Sequence, residues 1–148
     1  MTFTTGFHML GGKDAPRVLC PWFKAFNAYA ACDPAAQVEK EAFLSLFTFD
    51  QEFRNHHRAV GGVRGYTGPT YSPFISYDVD FSALDEALRV TRVLAGFLIS
   101  AYALDEAQLL IFFSGGKGFH IQLATAWGGE SPTPGPLFHN LVRNFITD

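Results

Sequence analysis

The 148-residue sequence predicts an α+β fold, in which a split βαβ unit over residues 74–148 follows a smaller helical or α/β N-terminal module over residues 1–73. Three observations predict it. Residues 74–81 alternate apolar and polar with period two, residues 84–102 carry an apolar stripe at helical spacing, and two further hydrophobic runs, 108–113 and 119–125, flank a glycine-rich turn. The composition, 48% hydrophobic and 17% charged, supplies enough apolar side chain for a core and excludes an acidic or basic tail.

The block up to about Phe49 reads as largely helical. Pro21 to Ala31 is rich in aromatic residues and alanine, and Asp33 can cap a second helix with Pro34 at its first position; Phe43, Leu46 and Phe47 would form that helix's core face. Cys20 and Cys32 lack the CxxC spacing that would nucleate a zinc site with His56 or His57, and are expected as small buried thiols in a reducing compartment. No apolar run reaches the ~20 residues of a membrane span, so a soluble protein is expected.

Charge is unevenly placed. Between Glu52 and Asp78 there is no acid, while Arg54, His56, His57, Arg58 and Arg64 fall in that interval; from Asp78 onward acids outnumber Lys and Arg eight to four. The first stretch could face phosphates, and the second could hold cations. Within the first, GGVRGYTGPTYSP (61–73) has too many glycines and prolines for a regular element, and presents Arg64, Tyr66 and Tyr71 on a shaped loop where a nucleotide or template strand could lie.

After Pro73, Ile75, Tyr77, Val79 and Phe81 alternate with Phe74, Ser76, Asp78 and Asp80, the pattern of a strand with one apolar face. Asp78 and Asp80 then point the same way, roughly 6 to 7 Å apart. Ser82 is placed to cap the next helix, with Asp85 at the capping-box position and Leu84, Leu88, Thr91, Ala95, Leu98 and Tyr102 as its stripe. The hairpin follows, its second strand alternating Phe119, Ile121 and Leu123 against His120, Gln122 and Ala124. A last helical pattern runs through Leu137, Leu141, Val142 and Phe145. The order β-α-β-β-α lacks only a final strand, and it brings Asp78, Asp80, His120 and Gln122 to the face opposite the helices.

Two adjacent carboxylates repel until a divalent cation neutralises them, and their hard oxygen ligands suit Mg²⁺ or Mn²⁺. The turn Ser114-Gly115-Gly116-Lys117-Gly118, with His120 beside it, offers a hydroxyl, an ammonium and an imidazole toward an anion. It is no P-loop, because G-x-x-x-x-G-K-[ST] is absent and a strand follows where a helix should begin; G-x-G-x-x-G fails as well, which excludes kinase and Rossmann readings.

"YDVD", a helix and then "FSGGKGFHI" resemble motifs I and II of the archaeo-eukaryotic primase superfamily, above all the compact primase-polymerases of plasmids and phages. The likeness covers about residues 55–125, and Ser114 to His120 agree with the second motif without a break. It implies an RRM-like catalytic unit beside an N-terminal module, with single-stranded DNA template in the groove between them. By this resemblance Asp78, Asp80 and His120 are catalytic, Asp78 and Asp80 bind Mg²⁺ or Mn²⁺, and Ser114, Gly115, Gly116, Lys117 and His120 hold the nucleoside triphosphate. Arg54, Arg58, Arg64 and Tyr66 would line the template. A replicative helicase is the implied partner, and a prokaryotic cytoplasm, with a plasmid or phage gene, the implied setting. The family also needs a third carboxylate on a later strand; either Asp148 serves or the chain is a fragment ending before it. Two alternatives stay open: a catalytically incomplete nucleotide or single-stranded DNA-binding module, and a metal-dependent nuclease.

Overall fold

The computed structural model describes residues 5–10, 18–21, 23–24 and 42–147. These form a mixed α+β structure with two antiparallel sheets and three α-helices among the described residues. The chain divides into two compact units, Met1–Ser72 with Thr133–Arg143, and Pro73–Pro132 with Asn144–Asp148. Thr133–Arg143, assigned from the sequence to the second unit, thus clusters with the first, where Gly135 and Thr70 exchange backbone hydrogen bonds of 3.0 and 3.2 Å.

In the first unit, β1 (Thr5–Leu10), β2 (Val18–Pro21), β3 (Ala42–Leu44), β4 (Thr48–Phe49), α1 (Gln51–Val60) and β5 (Thr70–Tyr71) follow in order. The sheet runs β2-β1-β4-β5, with β3 also on β1. A sheet therefore stands where the sequence suggested helices. Phe43, expected on a helix face, lies on β3 opposite Met9, and Leu46 and Phe47 occupy a bend that the Ser45 hydroxyl closes by donating to the Phe47 carbonyl (2.8 Å). Between the pairs His8↔Leu44 and Thr5↔Phe49, three steps along β1 face five on the other side, so two extra residues bulge out between β3 and β4. These strands are short and their partners distant in sequence, so cross-strand pairing decided against local propensity. Most of the helix expected over 21–31, the one expected from Asp33, and Cys32 lie outside the described residues.

The second unit holds β6 (Phe74–Asp80), α2 (Leu84–Tyr102), β7 (Leu109–Phe113) and β8 (Gly118–Ala124), in a sheet of order β6-β8-β7. Both β6 and β7 are antiparallel to β8. They are therefore parallel to each other, joined by α2 and parted by the strand between them. α3 (Phe138–Thr147) closes the described chain.

The period-two alternation sorts residues onto faces. Ile75 and Val79 of β6, Leu109 of β7, and Ile121 and Leu123 of β8 are buried. Leu109, Ile121 and Leu123 cluster with Ala95, Leu98 and Leu104, and Tyr77, Ile99 and Tyr102 pack around them. Each fully buried Leu or Ile contributes about 1.5–3 kcal/mol. Thr91, buried in α2, satisfies its hydroxyl on the Ala87 carbonyl (2.7 Å).

Three details differ from expectation. Ala83, not Ser82, is the N-cap of α2, and it makes no side-chain cap bond. Leu84 is exposed although the stripe included it. In α3 the buried residues are Phe138 and Val142, while Leu137 and Leu141 are exposed. That helix carries apolar residues on two adjoining faces, and periodicity alone could not choose between them.

Candidate functional site

β6 and β8 pair from Phe74↔Ala124 to Asp80↔Gly118, and in this register Asp78 stands directly opposite His120. Directly opposed residues share a face with Cβ atoms about 4.5–5.5 Å apart. His120 Nε2 accordingly lies 3.4 Å from Asp78 Oδ1, and two residues on, Lys117 Nζ lies 3.7 Å from Asp80 Oδ2. The structure thus brings Asp78, Asp80, Lys117 and His120 together on the face opposite the core. All four are accessible, with side-chain exposures of 68, 44, 67 and 38%. Ser76 and Gln122, a further opposed pair, continue the same face.

The turn is built to hold this register. The Ser114 N–H donates to the Gly118 carbonyl (2.9 Å), and the Gly118 N–H returns to Ser114 Oγ (3.2 Å), leaving Gly115, Gly116 and Lys117 as a three-residue loop. Gly115 has φ +87°, a conformation glycine adopts without cost. Gly118 answers to a different demand: a Cβ there would collide with the Asp80 carboxylate and the Val79 carbonyl. The Phe81 N–H donates to the Lys117 carbonyl (3.4 Å), which ties the loop to the end of β6. Ser114 is thus engaged in closing the turn through its oxygen, and its own O–H is left to donate.

Sequence reasoning missed one member of this face. Phe112 is the Cα partner of His120 on β7 and 41% exposed, so an aromatic surface adjoins the imidazole. The run LLIFF is apolar on both faces, which hid the alternation that would have singled it out.

The residues read as template-lining fall in the first unit. Arg54 and Arg58 lie one turn apart on α1, and Arg64 is exposed in the following loop, where its carbonyl accepts from His56 Nε2 (3.0 Å). Tyr66 is committed to packing: its ring meets Phe49 and Phe53 edge-on, at centroid distances of 6.0 and 4.9 Å. Its hydroxyl donates to Asp50 Oδ1 (3.1 Å), the oxygen that also caps α1 by accepting from the Glu52 and Phe53 N–H groups (3.0 and 3.3 Å). Burial, and next the adjacent Asp50 charge, push the Tyr66 phenol well above its ordinary value. Asp50 escaped the sequence reading, although an Asp before an amphipathic run is a helix-start signal. Cys20, expected buried, is only half so.

Among the described residues, no group of three or more His, Cys, Asp and Glu side chains is placed to hold a metal ion. Asp78 and Asp80 nevertheless fit a cation such as Mg²⁺, which typically takes one or two carboxylates and fills its remaining positions with water and substrate phosphates. Asp148 lies outside the described residues. No helix among those residues is long and apolar enough to cross a membrane. Comparison of the chain with protein-family models, with curated proteins and with solved structures finds no match.

Proposed function

We propose that the second unit is the RRM-like catalytic unit of an archaeo-eukaryotic-type primase-polymerase, transferring nucleotides to a 3′-hydroxyl on a single-stranded DNA template. The observation that carries this reading is the direct opposition of Asp78 and His120, with Asp80 and Lys117 one step along the same face. The βαβ whose strands are parted by β8 agrees with the resemblance of "YDVD" and "FSGGKGFHI" to the family's motifs.

Lys117 and His120 would donate to the triphosphate oxygens, and the Ser114 hydroxyl and the N–H groups of Gly115 and Gly116 would complete the anion cradle. Asp78 and Asp80 would hold Mg²⁺ or Mn²⁺, which when bound supplies charge neutralisation and lowers the pKa of the attacking hydroxyl. The hydroxyl gives up its proton to solvent as its oxygen bonds to the α-phosphorus, the bond to the bridging oxygen breaks, and pyrophosphate leaves with its electron pair. Fixed donors at that position provide most of the acceleration through positioning and electrostatics. Phe112 would offer its ring to the incoming base. Among the described residues no third carboxylate joins Asp78 and Asp80, and a replicative helicase is the companion such a unit would serve in a prokaryotic cytoplasm.

A second reading rests on the same two contacts. Asp78 already faces the His120 imidazole and Asp80 the Lys117 ammonium, so the patch could bind a nucleotide or single-stranded DNA without turnover. Incubating the chain with Mn²⁺ or Mg²⁺, single-stranded template and labelled nucleotides separates the readings. Extension is expected, and is expected to vanish in Asp78→Ala/Asp80→Ala; extension that survives the double substitution would refute the assignment. Thermal stabilisation by triphosphate without product would favour binding, and template degradation without added nucleotide would favour a nuclease.

A further inference from the structure

A cavity of about 450 Å³ opens in the first unit, lined by Leu19, Cys20, Pro21, Lys24, Arg54, His57 and Arg58. Two arginines, a lysine and a histidine therefore line one concavity. None of the described residues lining it is acidic. Arg54, His57 and Arg58 arise from α1 at i, i+3 and i+4 spacing, while Lys24 arrives from the segment after β2.

His57 and Arg58 lie in the last turn of α1, where the helix dipole favours cations. Arg54 lies one turn earlier on the same helix, which sets it and Arg58 as like charges at i,i+4 spacing beside the cavity. The Cys20 thiol gives an independent view of the electrostatics: burial pushes it up, whereas Arg54 and then Lys24 pull it down, so both cations act on the point where the thiol sits.

We infer that this cavity is an anion site for a phosphate group. Planar guanidinium forks donate in pairs to tetrahedral oxyanions, and a phosphate distributes its charge over several oxygens that donors from two chain segments can reach together. The inference sharpens the template reading of Arg54 and Arg58 by naming the group held, and it rests on that reading only for a nucleic-acid source. The same chemistry would accept a strand phosphate or a free pyrophosphate.

Cys20 supplies the readout. The full chain is treated with iodoacetamide and modification is followed at the Cys20 peptide by mass spectrometry, without metal, in the presence of short oligothymidylate or of inorganic pyrophosphate. With probe at ten times its Kd, mass action is expected to slow alkylation about tenfold. Protection by the oligonucleotide alone identifies a strand phosphate, and equal protection by pyrophosphate identifies a free one; both support the site. Lys24→Gln and Arg58→Gln, both at exposed positions, should abolish protection, and Arg58→Lys should restore part of it. Lys117→Ala should leave it intact, because Lys117 does not line this cavity. Absence of protection by either probe overturns the inference, as does protection that persists in both Gln variants or disappears in Lys117→Ala. None of these outcomes depends on nucleotide transfer, so the two proposals fail separately.

Discussion

Asp50 in the first unit and Asp78 with Asp80 in the second are the same residue type in opposite circumstances. Asp50 is 4% exposed, and one of its oxygens accepts from two backbone N–H groups and the Tyr66 hydroxyl. Asp78 and Asp80 are exposed and, among the described residues, meet His120 and Lys117 at 3.4 and 3.7 Å. A carboxylate whose acceptor capacity is consumed inside the fold stabilises that fold. One whose oxygens remain accessible is available to a ligand. The difference lies in the neighbours, and it turns the comparison into measurements.

The largest effect is expected at the accessible pair. Asp78→Ala/Asp80→Ala should lower nucleotide transfer by at least about a thousandfold, roughly 4 kcal/mol in the barrier. The same variant should unfold within about 0.5 kcal/mol of the parent, because it alters only surface groups. A large loss of melting temperature would erase the contrast with Asp50.

Asp50→Ala reverses the pattern. It removes the cap of α1 and leaves the Tyr66 hydroxyl only the longer contact to the Pro69 carbonyl (3.4 Å), for an expected cost of about 2 kcal/mol, measured by urea denaturation. Retention of full stability would show that the buried carboxylate is dispensable.

Tyr66→Phe removes one donor and should cost about 1 kcal/mol. It also carries a pH signature. The phenol's folded-state pKa lies above its unfolded value, so its contribution is fully present below about pH 10 and is lost as pH rises beyond that. The stability difference between parent and Tyr66→Phe should therefore shrink at alkaline pH. A difference that grows with pH would contradict the assigned direction.

The smallest stability effect is expected for Lys117→Ala, within about 0.5 kcal/mol, since its ion pair is exposed and long. That variant should nonetheless weaken triphosphate-dependent thermal stabilisation. Unchanged stabilisation would remove Lys117 from the anion cradle.

Legibility in the sequence followed the range of the interactions. β6, the hairpin and the shared face of Asp78 and His120 could be read because alternation and turn chemistry are local signals, and one register converts them into a surface. The first sheet could not, since β1 pairs with Phe43 and Phe49 across more than thirty residues and neither short strand announces its partner. The convergence of Lys24 on Arg54 was invisible for the same reason. Tyr66 appeared as an aromatic on a glycine-rich loop, and nothing nearby in the sequence shows its hydroxyl returning sixteen residues to Asp50. The site's chemistry, by contrast, lay within motifs of four to seven residues.

The opposition of Asp78 and His120 also makes the strand sensitive to length in a way that no substitution reveals. Sidedness is a matter of odd and even counting, so losing one codon within β8 would send the imidazole inward and thrust an isoleucine or phenylalanine into its place. A codon gained among Gly115, Gly116 and Lys117 would leave the pairing of β6 with β8 untouched and fall on the anion cradle instead. The two kinds of length change thus strike different things, one the sidedness of the sheet and the other the loop that it carries.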